Sequence, residues 1–346
     1  MTAPDPHAPR DDERDELAVV RRLREPELPS ADDRPRERQR SFRRSDVYGD
    51  PVVDGRVVHD SGWVRSLAWF RGLLVSRAER DEAALERRLR RVQHGVTRCN
   101  VIAVVSPKGG VGKTTCAFVL GNLLASHVRL RTIVVDANPD HGTLGLLAPD
   151  GMRSEYTLAD AIGDLDRISS AAELHRYVSV LPSGLHLMGA PADPRVMKQM
   201  TPDLYGQLTA FLGRFYDVVV LDLGTGLTDP LADFAISRAD QSVVVTTPEW
   251  VTASIVLDAL RYLGDGRGND NITVVLNKAL DGRHAGDRGR IEAEFRRQQI
   301  RRRVTVPEDT RLKTMLDSGT YTLEALSRPS RVPIKELGMA VAGQLV

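Results

Sequence analysis

Six short, nearly continuous apolar runs restrict what this chain can fold into. They are Val101–Val105, Thr132–Val135, Asp217–Leu221, Ser242–Thr246, Ile272–Leu276 and Val304–Val306, all rich in β-branched residues. A half-buried strand alternates polar and apolar side chains. These runs do not alternate, as expected of strands covered on both faces. Helical patterns separate them at Lys113–Ser126, Pro202–Phe215, Pro230–Ala239, Thr252–Leu263 and Arg288–Gln299. Such alternation predicts an α/β fold, a doubly wound and mostly parallel sheet with helices on both faces. Ligands of these sheets bind beyond the carboxyl ends of the strands, and the residues with chemistry to offer fall at those ends.

The N-terminal part differs in texture. Residues 1–60 mix Pro, Arg, Asp and Glu with few large apolar groups. That composition buries too little surface to offset its ordering entropy and predicts a disordered polar extension. Residues 61–98 read as a helical segment. Trp63, Leu67, Phe70 and Leu74 recur at spacings of four and three among Arg65, Arg71 and Arg77. A charged helix over Ala78–Val92 follows, with Leu85 and Leu89 on one stripe. Three readings of Trp63–Val75 stand open: packing on the domain or a partner, peripheral contact with a membrane, and self-association.

A net charge of +1 creates no global field, so any affinity for nucleic acid or lipid must come from local patches. Two cysteines, Cys99 and Cys116, cannot build a disulfide framework or a zinc site. The first residues lack the apolar stretch of a secretion signal, and no run approaches the roughly 20 apolar residues of a spanning helix. The expected location is the cytoplasm.

The densest chemical signal is Lys108-Gly109-Gly110-Val111-Gly112-Lys113-Thr114-Thr115, set between the first apolar run and a helix. Glycines let backbone N–H groups curl around phosphate oxygens, and the helix N-terminus adds its dipole. Lys113 brings a positive charge to the β and γ phosphates, and the Thr114 hydroxyl is a magnesium ligand in such loops. The strict phosphate-loop pattern wants glycine where Pro107 stands. The implied cofactors are ATP and Mg2+.

Lys108 ahead of the glycine pair resembles the deviant phosphate loop of the ParA/MinD family of ATPases, and the similarity runs from about Val101 to Val346. The resemblance implies a P-loop NTPase domain over residues 99–346 that closes as an ATP-dependent homodimer. In it Lys108 would reach the partner's nucleotide, where a cation supplied in trans stabilises charge on the transferred phosphoryl group. Gly62-Trp63-Val64-Arg65-Ser66-Leu67 resembles an actinobacterial branch of the family associated with type VII secretion loci.

Asp136 ends the second run, where the family carries an aspartate, and two residues later Asn138 replaces a second family aspartate that positions water. Asparagine orients water but accepts no proton, so slow hydrolysis is expected. The alternative is a nucleotide-binding regulator with little or no turnover, and nearby Asp140 is a candidate to compensate. Asp222 ends the run Asp217–Leu221 and would hold magnesium with Thr114 and Asp136. By itself, an aspartate at that point can equally cap a helix. Gly226 would sense the γ-phosphate through its N–H. Asn277 and Pro307 match the family's adenine site, Asn277 offering both a donor and an acceptor. Thr247-Pro248-Glu249-Trp250 is given only a structural role.

Arg296, Arg297, Arg301, Arg302 and Arg303 crowd one stretch. They read either as a patch for non-specific DNA binding or as a solvated face broken by Glu292 and Glu294. Val332–Val346 reads as a last helix docked on the sheet. The expected function is a Mg-ATP-dependent dimerising switch that positions or regulates a partner assembly, either DNA partition or secretion machinery. Its protein partner is not identified by sequence.

Overall fold

A computed structural model describes residues 76–139, 142–226, 230–263, 269–279 and 285–346. Residues 1–75, and with them Trp63–Val75, lie outside the described residues, as does Asp140.

Eight strands form one sheet: β1 (Asn100–Ser106), β2 (Thr132–Ala137), β3 (Ser179–Val180), β4 (His186–Met188), β5 (Val218–Thr225), β6 (Gln241–Thr246), β7 (Ile272–Ala279) and β8 (Arg302–Pro307). Their order is β3-β4-β2-β5-β1-β6-β7-β8. Every pairing is parallel except β3 with β4. The six apolar runs became β1, β2 and β5–β8. The short pair β3 and β4 was not legible, because strands of two and three residues carry no periodicity.

The main helices are α1 (Arg77–Val92), α2 (Lys113–Leu123), α3 (Pro202–Leu212), α4 (Pro230–Arg238), α5 (Trp250–Leu263), α6 (Ala285–Arg297), α7 (Thr310–Ser318) and α8 (Arg328–Ala342). Strand side chains alternate between faces. Val243, Val245, Val275, Val304 and Val306 share one buried core with residues of α1, α2, α7 and α8. The opposite face is covered by α3–α6, which pack on β1, β5 and β6 and on one another. Helix α2 is buried nearly all round, from Lys113 through Leu123, as a central helix under two neighbours must be. It continues as one π turn, Leu124–Val128, and stops at Arg129 in the left-handed region at φ 65°. The last helix docks where expected: Gly338 lies so close to Leu123 of α2 that a Cβ there would collide with it.

Helix α1 joins this body through both greasy and ionic contacts. Leu89 is fully buried. Glu82 accepts from Arg331 at 2.7 Å and from Lys335 at 2.9 Å, both on α8.

Candidate functional site

The sheet places β1 in its middle, between β5 and β6. This is the topological switch point where open α/β sheets bind ligands. The loop from β1 to α2 turns there because Gly110 and Gly112 adopt φ of 76° and 96°, conformations costly for a residue with a Cβ. Gly112 caps α2 without any side-chain hydrogen bond to the first-turn amides, leaving those N–H groups available to an anion. Val111 is buried and anchors the loop to the core, while Lys113 is only 9% exposed. Burial pulls the Lys113 ammonium down, and the nearby Asp222 pushes it back up.

Two acids sit side by side at the strand ends, and Asp222 is near Lys113. Parallel pairing of β2 with β5 aligns Asp136 with Asp222, and both are 1% exposed. They are differently satisfied. Asp136 accepts N–H bonds from Leu144 at 2.9 Å and Asn138 at 3.3 Å. A Cβ on Gly142 would stand 2.6 Å from its Oδ2. Asp136 thus gathers the chain after β2 around itself. Burial raises it to about 6 in spite of those bonds. Asp222 takes a hydrogen bond from Thr114, yet burial and then the Asp136 charge drive it to about 7. Its Oδ1 is buried without any partner. A buried carboxylate oxygen is costly in that state. With the Thr114 hydroxyl beside it, the donor set is hard, all oxygen, and fits a magnesium ion.

The signature lysine, Lys108, donates to the Thr252 hydroxyl of α5 at 2.9 Å. Thr252 and Thr247 both reach the Glu249 carboxylate. The turn Thr247–Trp250, read from sequence as structural only, thus belongs to the surroundings of Lys108. Asn138 packs against β5, since a Cβ on Gly224 would lie 3.1 Å from its Oδ1. Gly109 and the half-buried Thr115 complete the loop, with Thr225 of β5 against Gly109.

A protein-family model described as an AAA domain matches residues 99–263. The chain is 31% identical over 233 residues to the ESX-1 secretion-associated protein EspI of Mycobacterium tuberculosis. That match covers 66% of this chain but only 34% of EspI, so the chain spans about a third of that relative's length. It is 31% identical over 180 residues to the septum site-determining protein MinD of Synechocystis, covering 51% of this chain and 64% of MinD. Among solved structures, a ParA family ATPase from Chlorobium tepidum superposes with a TM-score of 0.58 at 22% identity, covering 70% of this chain and 98% of that one. MinD of Pyrococcus horikoshii, solved with Mg-ADP, gives 0.56 at 18% identity over 69% and 94% of the two chains. In sequence and fold the chain is similar to ParA/MinD-family P-loop ATPases.

Three groups of residues singled out in the sequence have further contacts in this structure. The Asn277 amide, expected at adenine, donates to the Val111 carbonyl of the phosphate loop at 2.8 Å; a carboxamide carries a second N–H and an acceptor oxygen besides. The Gly226 N–H, expected at the γ-phosphate, points to the Ser106 carbonyl at 3.4 Å and ties β5 to β1, with Gly226 at φ 113°. The arginine run is not one patch. Arg296 and Arg297 on α6 pair with Glu292 and Glu294. Arg301–Arg303 instead line a groove with Arg88 of α1 and Arg328 of α8. The break falls where β8 begins and the chain passes from one layer to the next. Pro307, at the end of β8, pairs with Ala279 of β7. No helix among the described residues is long and apolar enough to cross a membrane.

Proposed function

We propose that this chain is a Mg-ATP-dependent switch. Two copies close around ATP, hydrolysis reopens them, and the closed dimer positions or regulates a partner assembly. The observation that carries the reading is the unfinished site at Asp222: a buried carboxylate oxygen without a partner, the Thr114 hydroxyl on the same group, and Lys113 adjacent. In this reading Gly109–Thr115 wrap the phosphates and Lys113 neutralises them. Thr114, Asp222 and Asp136 hold the magnesium, directly or through water. When bound, magnesium neutralises developing phosphate charge.

Lys108 provides the link to dimerisation. Its ammonium rests at the head of α5, where the neighbouring side chains Val251 and Ile255 are 68% and 41% exposed. Apolar side chains left open beside the nucleotide end of the sheet support a second copy as their cover. The reading places the protein in the cytoplasm. The EspI match supports secretion machinery as the partner assembly, and the division of the arginine run between two layers weakens a DNA role. Static light scattering with and without Mg-ATP tests the switch. Wild type should double in mass with Mg-ATP, and Lys108→Ala and Lys113→Ala should not. ATP-driven dimerisation that survives in both variants would end this reading.

A second reading, a nucleotide-binding regulator with little turnover, is favoured by one observation. Asn138 stands against Gly224, where proton acceptance would call for a carboxylate. Single-turnover hydrolysis by wild type and Asn138→Asp separates the two. Measurable product from wild type and faster product from the variant support a slow enzyme. No product from wild type supports the regulator.

A further inference from the structure

The groove lined by Arg301–Arg303 follows an edge of the sheet. Strand β8 is last in the order, so one side of it pairs with β7 and the other has no strand neighbour among the described residues. Side chains of a strand alternate between its faces, yet four consecutive residues, Arg301 through Val304, all line the groove. Consecutive residues share a groove when it runs beside the strand and meets its backbone. The other two walls are helical stripes. Val332, Glu336, Met339 and Ala340 of α8 line it at spacings of four, three and one. Asp81, Leu85 and Arg88 of α1 do so at spacings of four and three, the spacing of one helix face.

The groove sets an apolar floor among arginines with capacity to spare. Val304 is buried, and Leu85, Val332 and Met339 are half-buried around it. Five arginines and three acids line the groove, and one of those acids, Glu82, is already held by Arg331 and Lys335. Arg88 is exposed and has no ion pair with a described residue. Arg301 stands 4.0 Å from Asp270, the two side chains being 81% and 80% exposed, a contact worth little in water. Arg302 lies two residues before Val304 and so shares its face of the sheet, at the margin of the core. Its Nε and Nη2 are buried without an acceptor, a costly state that an incoming carboxylate relieves.

An unpaired strand edge accepts an extended peptide through main-chain hydrogen bonds, and the side chains beside it choose the sequence. The arginines here act in both directions. They repel the β8 edge of another copy, which carries the same charges, and they favour a chain of carboxylates. Nucleic acid suits the groove less well. A phosphate backbone makes no use of the apolar floor, and Asp81 and Glu336 oppose it.

We propose that the outer edge of β8 is a docking site for an extended acidic segment of a partner protein, which adds to the sheet as a further strand and offers its carboxylates to Arg88, Arg301 and Arg302. The site lies where β8 begins, whereas the phosphate loop lies at the carboxyl ends of the strands. It therefore stands or falls apart from the nucleotide reading.

The test uses the full chain without nucleotide and three fluorescent probes: a peptide alternating valine with aspartate, its valine–lysine counterpart, and a short DNA duplex. Anisotropy should show binding of the aspartate peptide in preference to both others. Arg88→Glu combined with Arg301→Glu should weaken that binding about tenfold. Both positions are exposed, so the fold tolerates the changes. Arg296→Glu combined with Arg297→Glu, on α6, should leave it at the wild-type value. Amide hydrogen exchange along β8 should slow in the bound state. Undiminished binding in the Arg88 and Arg301 variant, a preference for the lysine peptide or for DNA, or no binding of the aspartate peptide would each overturn the proposal. Binding that leaves exchange along β8 unchanged would overturn it as well.

Discussion

Two clusters of buried charge in this molecule use the same kinds of residue and reach opposite electrostatic states. Between α1 and α8, Glu82 is surrounded by Arg328, Arg331 and Lys335. Hydrogen bonds from Arg331 foremost, and then from Lys335, hold Glu82 down at about 2 although burial pushes it up. At the ends of β2 and β5, Asp136 and Asp222 are register partners, and Lys113 is the cation that acts on Asp222 among the described residues. Burial takes them to about 6 and about 7. The first cluster is saturated, as a structural clamp must be if it is to offset desolvation. The second is short of positive charge, which supports the proposal of a site completed by a ligand. An acid's identity says little about its role, and the supply of donors around it says much more.

The contrast can be broken at either end. Lys113→Ala should have the largest effect, about a hundredfold loss of Mg-ATP affinity by calorimetry, because a charged contact in a buried site disappears. Glu82→Gln should cost about 2 kcal/mol in urea unfolding, leaving Lys335 buried with a poorer partner, while Mg-ATP affinity stays at the wild-type value. An equal loss of affinity would mean that the clamp belongs to the site.

The two clusters should also respond to pH with opposite sign. Glu82 has a folded value below its unfolded one. Its stabilisation is present above about 4.5 and is lost as pH falls toward about 2. Asp222 has a folded value above its unfolded one. Its contribution is fully present below about 3.8 and is lost as pH rises through about 7. Asp222→Asn should therefore raise the Tm of the nucleotide-free chain by a few degrees at pH 8 and leave it unchanged at pH 3.5. A Tm equal to wild type at pH 8 would contradict the charge-starved description. The smallest change is expected at the exposed Arg90–Glu86 pair of α1, where Arg90→Ala should cost about 0.3–0.5 kcal/mol.

Sequence conveyed the local parts of this site and missed the distant ones. The loop Lys108–Thr115 and the acids Asp136 and Asp222 were legible because each sits at the end of a contiguous apolar run. That Asp136 and Asp222 stand side by side follows only from β2 and β5 being neighbours, a pairing across many intervening residues. The clamp from Glu82 to Arg331 and Lys335 joins positions about 250 apart in the chain and leaves no periodic trace. Asn277 is legible from its chemistry and its place after an apolar run, and an adenine contact is what the family resemblance implies. The left-handed turn at the neighbouring Lys278 has no signature in a lysine. Arg296–Arg303 are adjacent in sequence, but the start of β8 sends neighbouring arginines into different layers.

The proposed switch requires Asp222 and Thr114 to hold the magnesium of a bound nucleotide. Its most direct test is titration of ATP into wild type and Asp222→Asn, each with magnesium and with EDTA. Magnesium should strengthen ATP binding to wild type about tenfold or more, and the variant should bind ATP equally with either. Magnesium dependence that persists undiminished in Asp222→Asn would contradict it.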